Sequence, residues 1–431
     1  MAASPEPVPP TSAAHVPTPP PPAGPGPLAD LRVVELAHPF GAPVGKLLAD
    51  AGADVVVVEP PGGATQRRFA PFAQDEPGPE RSLVWWAENT SKRSVVLDLS
   101  DGAGIELLGR LVDRADVLVE CLGAPRAASL GLEPAELQAR NPGLVHATIT
   151  PYGRTGPRSD EPATDLTLLA AGGPVWSCGY DDHHLPPVRG GGDQGIRTSA
   201  HFALMAVLTA VVARHHLGHG QHVDVSMLAA LNVTTEFASY SWLAARQTVQ
   251  RQTGRHASPR PTEPTQVRCA DGRWLNTGVP PRTPAEFTSL QEWLVELELG
   301  DDPPVLALLE LAGQYEHMTL AMIEEDPLVA EIFGAGRDAV ALIASHLPAH
   351  EAFVGLQDRG LAAGVIYSPE EVMTNPHFVE RGFPTAVHHD VLDRTVLYPG
   401  PPIRFTGTPM RVRRAPRLGE HTAEVMAELD G

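Results

Sequence analysis

The sequence predicts an α/β protein built on a parallel sheet covered on both faces, and three observations carry that expectation. Short apolar runs alternate with helical patterns through about residue 150. The run ADVVVVEP has the continuous apolar character of a buried strand. At 431 residues the chain is also too long for one simple core, so two domains are expected.

Order begins near Leu28, where LRVVEL gives the first strand. The glycine-containing turn AHPFGAPVG and the helical pattern KLLADAG follow, then ADVVVVEP. KRSVVLDLS, DVLVECL and LVHATIT are further strands, with the helix GIELLGRLVDRA between the first two. Ligands usually bind at the carboxyl ends of such strands. From Thr198 the pattern changes: TSAHFALMAVLTAVVARHHLG is a long helix stopped by glycine, HVDVS a short strand, and MLAALNVTTEFASYSWLAARQ a second helix. TVQRQTGRHASPRPTEPT reads as a polar linker into TQVRCADGRWLNTGV, a hairpin with an Asp-Gly turn. Helical segments run to about residue 360, and from Gly364 the strand-like VIYS is followed by helix, loops and strand-like pieces.

Composition narrows the function. The chain is 42% hydrophobic and 19% charged, as a soluble globular protein is. A formal net charge of -20 argues against a nucleic-acid partner, while a phosphorylated small ligand needs only a few local cations. The apolar stretch ALMAVLTAVVA is too short to span a bilayer and reads as a buried helix, so no membrane is expected. Cys121, Cys178 and Cys269 are far apart and form no C-x-x-C pair, which fits a reducing cytoplasm. The opening 27 residues lack a basic start and an apolar core, so they read as a disordered, proline-rich tail rather than a secretory signal.

Several residues invite chemistry. Asp165 stands between a proline-laced polar loop and a small apolar run, where it either caps a helix or acts as a nucleophile or base. Glu59 ends the second strand like an acid that holds a cofactor ribose, yet the first turn has only Gly41 and Gly45 and lacks G-x-G-x-x-G. RGGGDQG (Arg189 to Gly195) brings backbone close to a ligand or serves as a flexible connection, and it lacks the ending of a P-loop. The pairs His183/His184, His215/His216 and His388/His389 have no metal-ligand spacing, so no metal is expected. Arg67, Arg68, Lys92 and Arg93 are candidate phosphate ligands or a solvated basic loop.

Taken together, the segments resemble the class III coenzyme A (CoA) transferases over nearly the whole chain after the tail. LLADAGADVVVVEPPGGATQR is similar to that family's opening, and ENTSKRSVVLDLSDGAG, RADVLVE and SLGLEPAELQARNPGLVHATITPYGRTGP continue in register. HLGHGQHVDVSMLAAL, GLAAGVIYSPEEVMTNPHFVERG, LYPGPPIRFTGTP and LGEHTAEVMAEL follow its later pattern.

The resemblance implies a Rossmann-like parallel-sheet large domain with a smaller inserted α+β domain, two chains interlocking as a homodimer. The large domain is expected over 28–225 and 363–431, with the linker helix and small domain over 226–362. The implied reaction is acyl-CoA:carboxylate CoA transfer through an aspartyl-acyl anhydride and a retained CoA thiolate. The acyl-CoA donor and carboxylic acid acceptor are substrates, and no prosthetic group is implied. Asp165 is the implied nucleophile; His38, Phe40, Gly41, Arg68, Lys92 and Arg126 are the implied coenzyme contacts. Asp193 is given a packing or capping role, and Arg93 a structural one.

The family's ENFRPG is ECLGAP here, Glu120 to Pro125, FGAP replaces AGP in the first turn, and VPPRTP follows LNTG where a glycine loop would stand. Phe40, Trp176, Tyr180, Tyr240 and Trp242 are candidates to shape an acyl pocket. Two alternatives remain: an α-methylacyl-CoA racemase, disfavoured because no histidine precedes Asp165, and a CoA-binding protein without catalysis.

Overall fold

The computed structural model describes residues 24–262, 264–277, 281–300, 303–319 and 322–431. Most of the tail assigned to 1–27, and the start of VPPRTP, lie outside the described residues. The chain divides into two compact units: one runs to Pro174 and adds Gly190–Glu236 and Glu370–Gly431, and the other comprises Val175–Arg189 and Phe237–Pro369.

The first unit is built on six strands: β1 (Arg32–Leu36), β2 (Asp54–Glu59), β3 (Arg93–Val96), β4 (Val117–Glu120), β5 (Val145–Thr150) and β6 (His222–Ser226). They lie in the order β3-β2-β1-β4-β5-β6, and every neighbouring pair is parallel. Val55 to Val58 are all buried, because valine fills a pleated surface closed on both sides. The strand order reverses between β1 and β4, the place beyond whose carboxyl ends such sheets bind ligands.

The helices of this unit are α1 (Ala42–Asp50), α2 (Leu83–Glu88), α3 (Gly102–Asp113), α4 (Ala124–Ser129), α5 (Pro134–Arg140), α6 (Asp165–Gly172), α7 (Gln194–Leu217) and α8 (Met227–Val233), while α9 (Glu236–Ala245) belongs to the second unit from Phe237 on. The long helix begins four residues before the expected Thr198, and Gly218 ends it with φ +76°, a left-handed backbone suited to glycine. It differs from the expected buried helix. Ala200, Ala203, Val207 and Ala210 face the core, while Met205, Val212 and Leu217 are each more than half exposed. By length and composition alone, α7 is long and apolar enough to cross a membrane.

The segment read as a linker folds instead as a hairpin, β7 (Gln250–Gln252) with β8 (Arg255–Ser258), turning at Gly254 with φ +65°. Its polar composition conceals a structure held by side chains, with Gln252 Oε1 accepting from Thr262 N, Thr262 Oγ1 and Arg255 Nε. The next hairpin, β9 (Gln266–Arg268) and β10 (Trp274–Asn276), turns through Asp271-Gly272 as the sequence indicates; β11 (Gly364–Val365) joins it. Around them stand α10 (Pro284–Glu296), α11 (Pro303–Ala312), α12 (Met322–Glu325), α13 (Pro327–His346) and α14 (Ala349–Asp358). Their core centres on Phe287, Leu290, Ile332, Phe333 and Ile343, all at most 1% exposed.

The returning chain forms α15 (Pro369–Thr374), α16 (Pro376–Glu380), the hairpin β12 (Pro384–His389) with β13 (Arg394–Pro399), and α17 (Thr422–Asp430). Its last part closes the outer edge of β3. Ser94 N donates to His421 Nδ1, His421 N to the Ser94 carbonyl, and Val96 N to Thr422 Oγ1 at 3.1 Å. Side chains thus satisfy an edge that another strand would otherwise occupy.

Candidate active site

Beyond the carboxyl ends of β1 and β4, where the strand order reverses, the first element is the turn after β1. His38 accepts from Phe40 N on Nδ1 and packs edge-on to its ring, with 4.7 Å between centroids. The His38 carbonyl accepts from Gly41 N and Ala42 N, starting α1. Burial lowers the His38 pKa to about 4, against the pull of Glu120, so its imidazole is neutral near pH 7. A Cβ on Gly41 would lie 3.1 Å from Cys121 Sγ, so the turns after β1 and β4 touch. Burial, reinforced by Glu120 and Glu35, pushes the Cys121 thiol well up; it is not a ready nucleophile.

Below the turn, Lys92 and Glu35 form a pair with both side chains fully enclosed, Nζ lying 2.9 and 2.8 Å from the two carboxylate oxygens. Lys92 also donates to the Ala42 carbonyl and to Asn89 Oδ1. Burial raises the Glu35 pKa and lowers that of Lys92, each opposed by the other's charge. Lys92 therefore props the start of α1 from beneath, and all its donors are engaged with protein.

The adjacent arginines separate in the same way. Arg67 is buried and grips Glu59 with Nε and Nη2, at 2.7 and 2.8 Å, beneath a cation–π contact with Trp85. Glu59 further accepts from Ser94 Oγ and Ala64 N, which fills its oxygens and rules out the ribose-binding reading. Arg68 is exposed beside Gly62, at the carboxyl end of β2. Arg126 is exposed too and bridges Leu99 O and Ser129 Oγ, between the ends of β3 and β4. His38, Phe40, Gly41, Arg68 and Arg126 thus all stand beyond strand carboxyl ends, and Lys92 stands inside.

Asp165 does not cap α6. That role belongs to Thr164, which exchanges hydrogen bonds with Thr167 as a capping box. Asp165 is 7% exposed and reaches α7, where Oδ1 accepts from Ile196 N at 3.0 Å. A Cβ on Gly195 would come within 2.8 Å of that oxygen, so glycine is what lets the carboxylate approach. Asp193 precedes α7 in a left-handed backbone, φ 53°, and its exposed side chain makes no capping bond. Two carboxylates therefore meet the head of one helix, where backbone N–H groups favour negative charge.

Trp176, Tyr180, Tyr240 and Trp242 are all 44% or more exposed; Trp176 Nε1 donates to Val249 O. Of the histidine pairs, His389 is buried between Trp86 and Tyr398, whereas His388 is exposed by Asp390. Among the described residues no group of three His, Cys, Asp or Glu side chains is arranged to hold a metal ion.

A family model described as CoA-transferase family III matches residues 28–422. A subunit of succinyl-CoA:(R)-benzylsuccinate CoA-transferase from Thauera aromatica is 30% identical over 407 residues, covering 92% of this chain and 93% of that protein. Succinyl-CoA–D-citramalate CoA-transferase of Chloroflexus aurantiacus is 30% identical over 413 residues, 94% of this chain and 95% of its own. A crystal structure of a CAIB/BAIF family protein from Brucella suis superposes with a TM-score of 0.73 at 26% identity, covering 94% of this chain and all of that one.

Proposed function

Because this chain belongs to CoA-transferase family III, we propose that it moves CoA from an acyl-CoA thioester to a free carboxylic acid through an aspartyl-acyl anhydride. The observation that carries the reading is the carboxylate of Asp165 held against the head of α7. Attack by a carboxylate oxygen on the thioester carbonyl breaks the C–S bond and leaves the CoA thiolate in place. The acceptor carboxylate then attacks the aspartyl carbonyl and releases the donor acid. The thiolate takes the new acyl group and restores the aspartate. N–H groups at the head of α7 are suited to the oxyanion of each step.

A second reading is favoured by one observation: Asp193 is exposed and in a strained left-handed backbone, whereas Asp165 is enclosed. In it Asp193 attacks, and Asp165 fixes the head of α7. The coenzyme is assigned to the turn of His38, Phe40 and Gly41, with Arg68 and Arg126 for its phosphates and Lys92 as support. Relatives named for succinyl-CoA, citramalate and benzylsuccinate suggest dicarboxylic acids as substrates.

The assignment includes a large domain over 28–225 and 363–431 and a small one over 226–362, in a cytoplasmic, interlocked homodimer. The exposed apolar residues of α7, with Met205, Val212 and Leu217 each more than half exposed, suit burial by a second chain better than a membrane.

The test is incubation with succinyl-CoA and a panel of dicarboxylic acids in deuterated buffer, with a parallel sample trapped by hydroxylamine. A new, undeuterated thioester and a hydroxamate on Asp165 are expected. Hydroxamate on Asp193 selects the second reading, and deuterium at the α-carbon of an unchanged thioester selects the racemase. Tight CoA binding with neither product selects the non-catalytic protein.

A further inference from the structure

Glu120 is fully buried at the carboxyl end of β4, and none of the chemistry above uses it. Its two oxygens face different parts of the site. Oε2 accepts from Leu122 N and so shapes the turn after β4, whose Cys121 packs on Gly41. Oε1 accepts from Thr148 Oγ1 at 2.7 Å, faces His146 Nε2 at 3.2 Å, and has Arg154 Nη1 3.6 Å away. Arg154 lies in the loop that leaves β5 and runs to Asp165; its side chain is 8% exposed. Its other anchors are Glu133 Oε1 at 3.1 Å and the backbone bonds from Arg154 N to the Asp224 carboxylate.

The strand sequences explain the convergence. Residues alternate faces along a strand, so His146 and Thr148 of VHATIT point to one side of the sheet. The parallel register sets Thr148 beside Glu120 on β4 and Asp224 on β6. Thr148 Oγ1 also lies 3.0 Å from His222 Nε2. One carboxylate is thereby fixed from β5 while its remaining reach is divided between the turn and the loop.

We propose that Glu120 is a positioning residue that sets the coenzyme-side turn, 121–123, in register with the loop that carries Asp165, Arg154 being its contact on the loop side. Arg154 Nη1 is buried and makes no hydrogen bond, so the Glu120 carboxyl group 3.6 Å away is what faces its charge, a task that a neutral amide performs far less well. Changing Glu120 disturbs thioester binding and catalysis together; changing Arg154 disturbs catalysis alone, since the turn keeps its Oε2 contact. The inference rests on the proposed transferase reaction and on the coenzyme lying at the first turn.

The experiment compares Glu120→Gln, Arg154→Met and Arg154→Lys with the parent protein. kcat, KM for succinyl-CoA and KM for the acceptor are measured separately, with the unfolding midpoint as a control on folding. Glu120→Gln is expected to raise the succinyl-CoA KM at least threefold and lower kcat at least tenfold. Arg154→Met is expected to lower kcat comparably with the succinyl-CoA KM within twofold, and Arg154→Lys to restore part of it. Should Glu120→Gln not fold, Thr148→Val removes one bond to the same oxygen, and a smaller change in the same two constants is expected. Unchanged constants in a folded Glu120→Gln or Thr148→Val variant overturn the inference, as does an Arg154→Met variant that alters only the succinyl-CoA KM. A parent protein that transfers no CoA overturns instead the reaction on which the inference stands.

Discussion

Replacing Gly195 by alanine should dislodge Asp165 without removing any functional group. The new Cβ would stand 2.8 Å from Asp165 Oδ1 and 3.1 Å from Leu169 Cγ, both inside normal contact. Alanine in place of glycine in a helix contributes at most about 1 kcal/mol of stability. Overpacking costs about 1–3 kcal/mol if the carboxylate stays, and losing its bond to Ile196 N costs about 1.5–3 kcal/mol if it swings away. Set against that gain, the first route leaves a net loss of about 0–2 kcal/mol and the second about 0.5–2 kcal/mol. Urea unfolding of Gly195→Ala measures it, beside Gly102→Ala, where a first-turn glycine of α3 has no atom within 4 Å of the added carbon. The control should be neutral or slightly stabilised. Transfer by Gly195→Ala should fall at least tenfold in kcat. A variant as stable and active as the parent would show that the placement of Asp165 against α7 does not matter.

The two adjacent arginines should part company. Arg67→Met strands Glu59 in the core and should cost about 3–5 kcal/mol in urea unfolding, whereas Arg68→Ala should leave stability within about 0.5 kcal/mol and raise the acyl-CoA KM. Lys92→Met should destabilise by a similar 3–5 kcal/mol, and adding Glu35→Gln should recover most of it, because no charge is then left unpaired. His389, held near pKa 4 by burial against an ordinary 6.5, binds its proton less readily when folded. Its contribution to stability is therefore present above pH 6.5 and disappears as pH falls to 4, by up to about 3 kcal/mol; His389→Phe with Tyr398→Phe should flatten that slope in unfolding measurements across this range. Val212→Glu, on the exposed face of α7, should shift sedimentation toward a monomer if a second chain covers that face.

Much of the sheet was legible because its strands announce themselves. Val33–Leu36 and Val55–Glu59 are unbroken buried runs, and HVDVS forms β6 over the residues expected. The Asp271-Gly272 turn was equally plain, since few pairs tolerate its backbone. Polarity misled where tertiary partners decide the outcome. Gln250 and Arg255 gave no strand pattern, and Lys92 looked like a surface cation although Glu35, distant in sequence, encloses it. Nothing local distinguishes Arg67 from Arg68; only the direction of each side chain from its short helix does. Asp165 drew notice from its place between a polar loop and an apolar run, but its bond to Ile196 joins residues 31 apart, and the glycine that permits it carries no signal of that task. Glu120 drew notice only for the altered residues that follow it, because its partners lie on strands whose register no local pattern reports.

The clasp of His421 and Thr422 on β3 has a consequence for synthesis. A ribosome delivers all six strands while the residues that finish the β3 edge are still unmade. Until they emerge, the nascent chain presents an open row of amide groups beside a valine-rich sheet, the surface on which two unfinished chains would stick. Chains cut short before His421 should accordingly be found in the insoluble fraction, and a chaperone's hold on this protein should end with its final helix.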